Sequence, residues 1–149
     1  MTYRHLLLPT DGSPLSSDAV GRGLELAHAL GARVTFITVV EPFYAFAASE
    51  EHYGQAREQY EKFARDAARG ILEAAKERAA ALGVEARSVL VGSEHPDQAI
   101  IDAAAEHGCD LVAMASHGRR GVNALLLGSV TQEVLTRSTV PVLVFRPPA

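Results

Sequence analysis

A single cysteine, Cys109, stands among 149 residues. No disulfide can form within the chain, and this usage fits a reducing cytoplasm. At the mouth of an apolar run, Cys109 reads as a small packed residue. Tryptophan is absent, and aromatics make up only 6% of the chain. Long hydrophobic runs are missing too. Leu6-Leu7-Leu8 ends at Pro9, too short for a leader's apolar region or a membrane span. No excess of basic charge points to nucleic acid: 14 Lys and Arg are interleaved with 18 Asp and Glu, for a formal net charge of −4. The histidines other than His117 (His5, His28, His52, His95 and His107) are dispersed, and no set of residues has metal-ligand spacing. Neither a Walker G-x-x-x-x-G-K-[ST] nor a G-x-S-x-G elbow occurs, which excludes a standard P-loop and a hydrolase-type nucleophile turn.

What is present is a chain 48% hydrophobic, enough for a packed core. Its length predicts one domain over 1–149. Leu6 to Leu8 read as a first buried strand. Ser13 is a good N-cap and Pro14 suits the first helical position. Ala19, Val20, Gly23, Leu24, Ala27 and Leu30 then follow helical spacing, and Gly31 is a C-terminal stop. Val34 to Val40 is a second buried strand. Glu41 to Gln55 is an irregular connection carrying Phe43, Tyr44, Phe46 and Tyr53. A long helix is predicted from about Ala56 to Leu82, with Phe63, Ala67, Ile71, Ala74, Ala75 and Leu82 as its apolar stripe. On its wet face Glu58–Lys62, Glu61–Arg65 and Arg69–Glu73 have i,i+4 spacing. Val84 to Val91 alternates, as a strand near an edge does. A short helix from Pro96 is stopped by Gly108, and Leu111 to Ala115 is the fourth strand. Ser129 to about Ser138 is the last helix, with Ser129 and Gln132 at capping-box spacing. Val140 to Phe145 is the fifth strand.

Strands alternating with helices predict an α/β fold, an open and mostly parallel sheet with helices on both faces. Ligands of such sheets bind beyond the carboxyl ends of the strands, where strand order reverses. For order 3-2-1-4-5 that crevice lies between the first and fourth strands. The loops leaving those strands are Pro9-Thr10-Asp11-Gly12-Ser13 and Ser116 to Leu127.

The stretch Met114 to Thr131 is the expected binding segment. A strand, a glycine-bearing loop and a helix start in series make a cradle for an anion, because the first helical amides lack partners and the helix dipole is positive there. Gly118, Gly121, Gly128 and Ser129 fit a phosphate bed, and Arg119 and Arg120 are placed to meet outer phosphates. Asp11 has the chemistry to accept from a ribose or base, or to bond its own turn. His117 is the histidine of the loop. Gly21-Arg22-Gly23 mimics a dinucleotide fingerprint but lies inside a helix, where close packing accounts for it.

Three stretches carry a resemblance: Leu6-Leu7-Leu8-Pro9-Thr10-Asp11-Gly12-Ser13; Ala115-Ser116-His117-Gly118, then nine residues, then Gly128-Ser129; and Pro141 to Phe145. Over essentially its whole length the chain resembles the universal stress proteins of the small single-domain kind. The nucleotide-binding branch of that family carries G-x2-G-x9-G-[ST]. Gly118, Gly128 and Ser129 match it, and Ala115 replaces its first glycine. The resemblance implies an adenine nucleotide alpha hydrolase-like (Rossmann-like) sheet of order 3-2-1-4-5. It implies ATP, with or without Mg2+, in the crevice, and a cytoplasmic homodimer joined through Val140 to Phe145. It sets the adenosine end against Pro9, Asp11 and Val39, and the phosphates over Gly118, Gly128, Ser129, Val130 and Thr131. Such a protein regulates an unidentified protein partner in the stress response. A slow ATPase or phosphotransferase using Asp11 and His117 is one alternative. A dimeric interaction module that has lost nucleotide through Ala115 is another.

Overall fold

Leu6, Leu7 and Leu8 stand at the centre of the molecule, almost wholly out of water. They belong to β1 (His5–Pro9), the middle of a five-stranded parallel sheet. The computed structural model describes residues 2–42, 50–118 and 127–147, with 50–53 described by their backbone alone. In chain order the remaining elements are α1 (Pro14–Leu30), β2 (Arg33–Val40), α2 (Glu50–Ala81), β3 (Ala86–Gly92), α3 (Pro96–Glu106), β4 (Leu111–Ala115), α4 (Ser129–Arg137) and β5 (Val142–Phe145). The sheet order is β3-β2-β1-β4-β5. Of the aromatic connection, Phe43, Tyr44 and Phe46 lie outside the described residues, as do Arg119, Arg120 and Gly121.

Alternate β1 side chains feed two cores, because successive strand residues point to opposite faces. Leu6 and Leu8 join Val34, Phe36, Leu24 and Leu72 under α1 and α2. Leu7 joins Ile37, Val112, Met114, Ile100 and Val134 under α3 and α4. At Gly23 an added β-carbon would stand 2.8 Å from a Leu8 methyl, so this glycine lets α1 lie close on β1. At Gly21 an added β-carbon would meet the guanidinium of Arg78, whose Nη1 donates to the Ser17 carbonyl at 2.9 Å and bridges α1 and α2. Helix packing thus explains both glycines of the Gly21-Arg22-Gly23 fragment. The predicted ends of α1 hold: Ser13 caps it with its side chain on the Ser16 amide, and Gly31 closes it in the left-handed conformation at φ 66°.

Helix α2 departs from the sequence expectation in two ways. It begins at Glu50, about six residues ahead of the predicted start. Its buried positions are Ala68, Leu72, Ala75 and Ala79, whereas Phe63 is 75% exposed and Leu82 is 40% exposed. Ala67 and Ala74 are also exposed, and of the predicted stripe only Ala75 is buried. The alanine-rich helix offers two apolar stripes at helical spacing, and periodicity gives their period without choosing between them. Leu72 settles the choice by reaching the sheet. The ion pairs also differ from those expected. Arg57 pairs with Glu61, Arg69 with Asp66 and Lys76 with Glu73. Thirty-two residues make a helix of about 48 Å, longer than any strand it covers. Accordingly no residue from Gly54 to Ala67 is buried.

Cys109 is buried, and desolvation pushes its thiol up to about 11. It is a packed residue and not a reactive thiolate. Among the described residues no helix is long and apolar enough to cross a membrane.

Candidate functional site

Strand order reverses between β1 and β4, whose chain continuations go to opposite ends of the sheet. Their carboxyl ends therefore open a crevice flanked by the loops that follow them. After Pro9, Thr10 stays attached to the sheet: its amide donates to the Ile37 carbonyl at 2.9 Å, and its own carbonyl accepts from the Thr38 hydroxyl at 2.8 Å. Gly12 turns the chain at φ 79°, a conformation glycine adopts without strain. Asp11 then folds over this turn. Its Oδ1 accepts from the Ser13 amide and from the Ser16 hydroxyl, both at 2.9 Å. The turn role anticipated for Asp11 is real, and it fixes the carboxylate at the crevice mouth. Sequence spacing singled out neither Ser16 nor Thr38. The only signal for Ser16 was its place one turn into a capped helix.

The β4 side is built as closely. Ser116 and His117 are buried, and the Ser116 hydroxyl lies 3.1 Å from His117 Nδ1. Gly118 follows and faces Asp11: a β-carbon on Gly118 would stand 2.7 Å from Asp11 Oδ2. The two strand exits thus meet across the crevice. Arg119 and Arg120, expected at the outer phosphates, lie outside the described residues.

Helix α4 begins against the end of β4. The Gly128 amide donates to the Ser116 carbonyl at 2.8 Å. An added β-carbon on Gly128 would stand 3.3 Å from that carbonyl and 3.4 Å from the His117 α-carbon. The N-cap is Gly128 and not Ser129, and among the described residues no side chain caps this helix. The capping box expected of Ser129 and Gln132 does not form, since the Gln132 amide group reaches back to the Leu127 carbonyl at 2.7 Å. The first turn-closing bond runs from the Gln132 amide to the Gly128 carbonyl. Ahead of it stand the amides of Ser129, Val130 and Thr131, the donors that an α-helix leaves without intrahelical partners. At α1, by contrast, Ser13 fills this role with its own hydroxyl.

The remaining candidates divide by face. Met114 is buried in the core under α3 and α4, with Val39 and Val130 packed against it. Their side chains line the floor of that layer. Ala115 falls on the opposite face by strand alternation, in phase with Leu111 and Ala113 under α1 and α2. Its methyl therefore points away from α4. Its carbonyl accepts from the Thr131 hydroxyl at 3.0 Å. Among the described residues no three His, Cys, Asp or Glu residues gather as a metal site. An open depression of about 500 Å³ lies at the other end of the sheet near the Gly31 and Gly83 helix ends.

The model of the universal stress protein family matches residues 2–146. Universal stress protein YxiE of Bacillus subtilis is 31% identical, covering 97% of this chain and 99% of that protein. A solved universal stress protein in complex with cAMP is 27% identical with a TM-score of 0.68, covering 98% of each chain. The solved structure of the hypothetical protein MJ0577 superposes with a TM-score of 0.83 at 23% identity, covering 100% of this chain and 99% of that one. That last likeness concerns the fold, a sheet of order 3-2-1-4-5 of the adenine nucleotide alpha hydrolase-like kind.

Proposed function

Since the chain belongs to the universal stress protein family, we propose that it is an ATP-binding regulator of the stress response that works in the cytoplasm as a homodimer. The observation that carries this reading is the contrast between its two crevice helices. Helix α1 is capped by its own Ser13, whereas α4 opens on a glycine with no side-chain cap. Uncapped amides with the positive end of a helix dipole behind them suit a polyphosphate. A relative of similar size has been solved with cAMP, which supports an adenine nucleotide as the ligand class.

In this reading the phosphates lie over Gly118 and the amides of Gly128, Ser129, Val130 and Thr131. Arg119 and Arg120 neutralise the outer phosphates, with Mg2+ carried in on the nucleotide. The adenosine end lies toward Pro9, Thr10, Asp11 and Val39. Met114, Ala115 and His117 form the wall beneath. The methyl of Ala115 faces the α1 side and leaves the phosphate bed open, so the missing family glycine does not abolish binding. The dimer joins through β5, an edge strand of four apolar residues, since an uncovered hydrophobic edge invites pairing. Nucleotide binding in the crevice then changes the surface offered to a protein partner.

Mass spectrometry of freshly purified protein, followed by titration with ATP, tests the proposal. We expect an adenine nucleotide to accompany the protein and ATP to stay uncleaved over hours. Absence of any bound adenine nucleotide at millimolar supply would overturn it. Rapid turnover with Mg2+ would replace it by the ATPase reading.

A further inference from the structure

The three leading amides of α4 act on one ligand only if the helix start is held in a fixed place. Nine residues separate Gly118 from Gly128 in the sequence. Two bonds tie the helix start directly to the end of β4. One is the Gly128 amide on the Ser116 carbonyl at 2.8 Å. The other is the Thr131 hydroxyl on the Ala115 carbonyl at 3.0 Å. Thr131 is 2% exposed, so water offers its hydroxyl no competing partner.

We infer that Thr131 is the positioning residue of the phosphate bed: its buried hydroxyl clamps the first turn of α4 onto the last residue of β4. The inference rests on the nucleotide-binding reading above. Thr131 has a divided role. Its side chain faces inward and is spent on the Ala115 carbonyl. Its amide belongs to the first turn and stays among the donors that a helix start offers. A hydroxyl so committed is no phosphate ligand. It sets the direction in which the amides of Ser129, Val130 and Thr131 point. The preorganised site then binds without first fixing its own helix start, and such fixing otherwise subtracts from affinity. Valine at this position keeps the β-branch and the volume but removes the donor. It also leaves the Ala115 carbonyl without this partner in a closed environment, which carries a real free-energy cost.

The test is calorimetric titration of the full chain and of Thr131→Val and Thr131→Ser with ATP and with adenosine. For Thr131→Val we expect ATP affinity to fall about tenfold while adenosine affinity changes less than twofold. Thr131→Ser, which keeps the hydroxyl, should restore ATP binding to within threefold of the parent. Amide exchange in the absence of nucleotide should quicken at Gly128 and Gln132, whose amides are bonded at the helix start, in the valine variant and not in the serine variant. Equal losses for ATP and adenosine would overturn the inference, since a general packing defect has no preference for phosphate. Unchanged ATP binding in Thr131→Val would overturn it as well, while leaving the nucleotide reading intact. Failure of the parent to bind ATP would remove both. Should Thr131→Val fail to fold, Thr131→Ala is titrated against Thr131→Ser with the same two ligands. Retained ATP affinity in the alanine variant would count against the clamp.

Discussion

Asp11 Oδ2 lies 2.7 Å from the place a β-carbon on Gly118 would take. The contact joins the exits of β1 and β4, residues more than a hundred positions apart in the chain. Asp11 cannot simply swing aside, because Oδ1 is held by the Ser13 amide and the Ser16 hydroxyl. Gly118→Ala should therefore force the carboxylate out of its turn, at a cost of about 1 kcal/mol, the low end for overpacking. Adding Asp11→Ala removes the obstacle. A double-mutant cycle by urea unfolding should give a coupling of at least about 0.5 kcal/mol. Simple additivity would mean that the two loops do not press on each other in solution.

Gly128 sets up a trade between stability and binding. Its backbone, at φ −65° and ψ 159°, is the extended conformation of an ordinary N-cap. An aspartate there would cap the helix with its own carboxylate, a change that shifts stability by only a few tenths of a kcal/mol relative to glycine. The same carboxylate would occupy and repel the space proposed for phosphate. For Gly128→Asp, whose β-carbon would press on the Ser116 carbonyl, we expect a folded protein of somewhat lower stability and ATP affinity lowered more than tenfold. Undiminished ATP binding in a folded Gly128→Asp protein would place the phosphates elsewhere.

Local signals in the sequence were enough for much of this fold. Ser13, Pro14 and Gly31 act within one turn of their own positions, so the ends of α1 were legible. The alternation of strands and helices carried the sheet class, and Leu111 to Ala115 matched β4 at both ends. What was hidden depends on tertiary contact. Alanines on two sides of α2 left its phase open until Leu72 met the sheet. Ser129 looked like a cap because serine favours that role, but the turn begins one residue earlier, where the Gly128 amide holds the Ser116 carbonyl. The approach of Asp11 to Gly118 and the clamp from Thr131 to Ala115 link distant segments, and spacing alone cannot announce them.

The exposed stripe of α2 gives a direct comparison of side chains. Phe63 is 75% exposed, while Leu72 is 4% exposed in the core under α1 and α2. Phe63→Ala removes the larger side chain yet should change stability by no more than about 0.5 kcal/mol, as surface substitutions do. Leu72→Ala should cost about 2–4 kcal/mol through lost burial and a cavity. Chemical denaturation of the two variants compares them. A large loss from Phe63→Ala would mean that this face of α2 is covered in solution.

His5 makes the fold sensitive to acid at the end of the sheet away from the crevice. Its ring is 5% exposed. Nε2 lies 2.7 Å from the Thr35 hydroxyl, and Nδ1 has no hydrogen-bond partner among the described residues. Burial holds the imidazole below its ordinary 6.5, and the Arg33 charge adds to this. Asp110 opposes the shift, while His107 and Arg87 reinforce it. A group lowered in the folded state protonates first in the unfolded chain, so its contribution to stability is whole above about 6.5 and is lost as pH falls toward the folded value. The slope cannot exceed about 1.4 kcal/mol per pH unit for one proton. Urea unfolding from pH 7.5 down to 5 should show the parent weakening below about 6.5. His5→Gln, which does not titrate, should remove this part of the pH dependence. An identical pH profile in His5→Gln would assign the acid sensitivity to other groups.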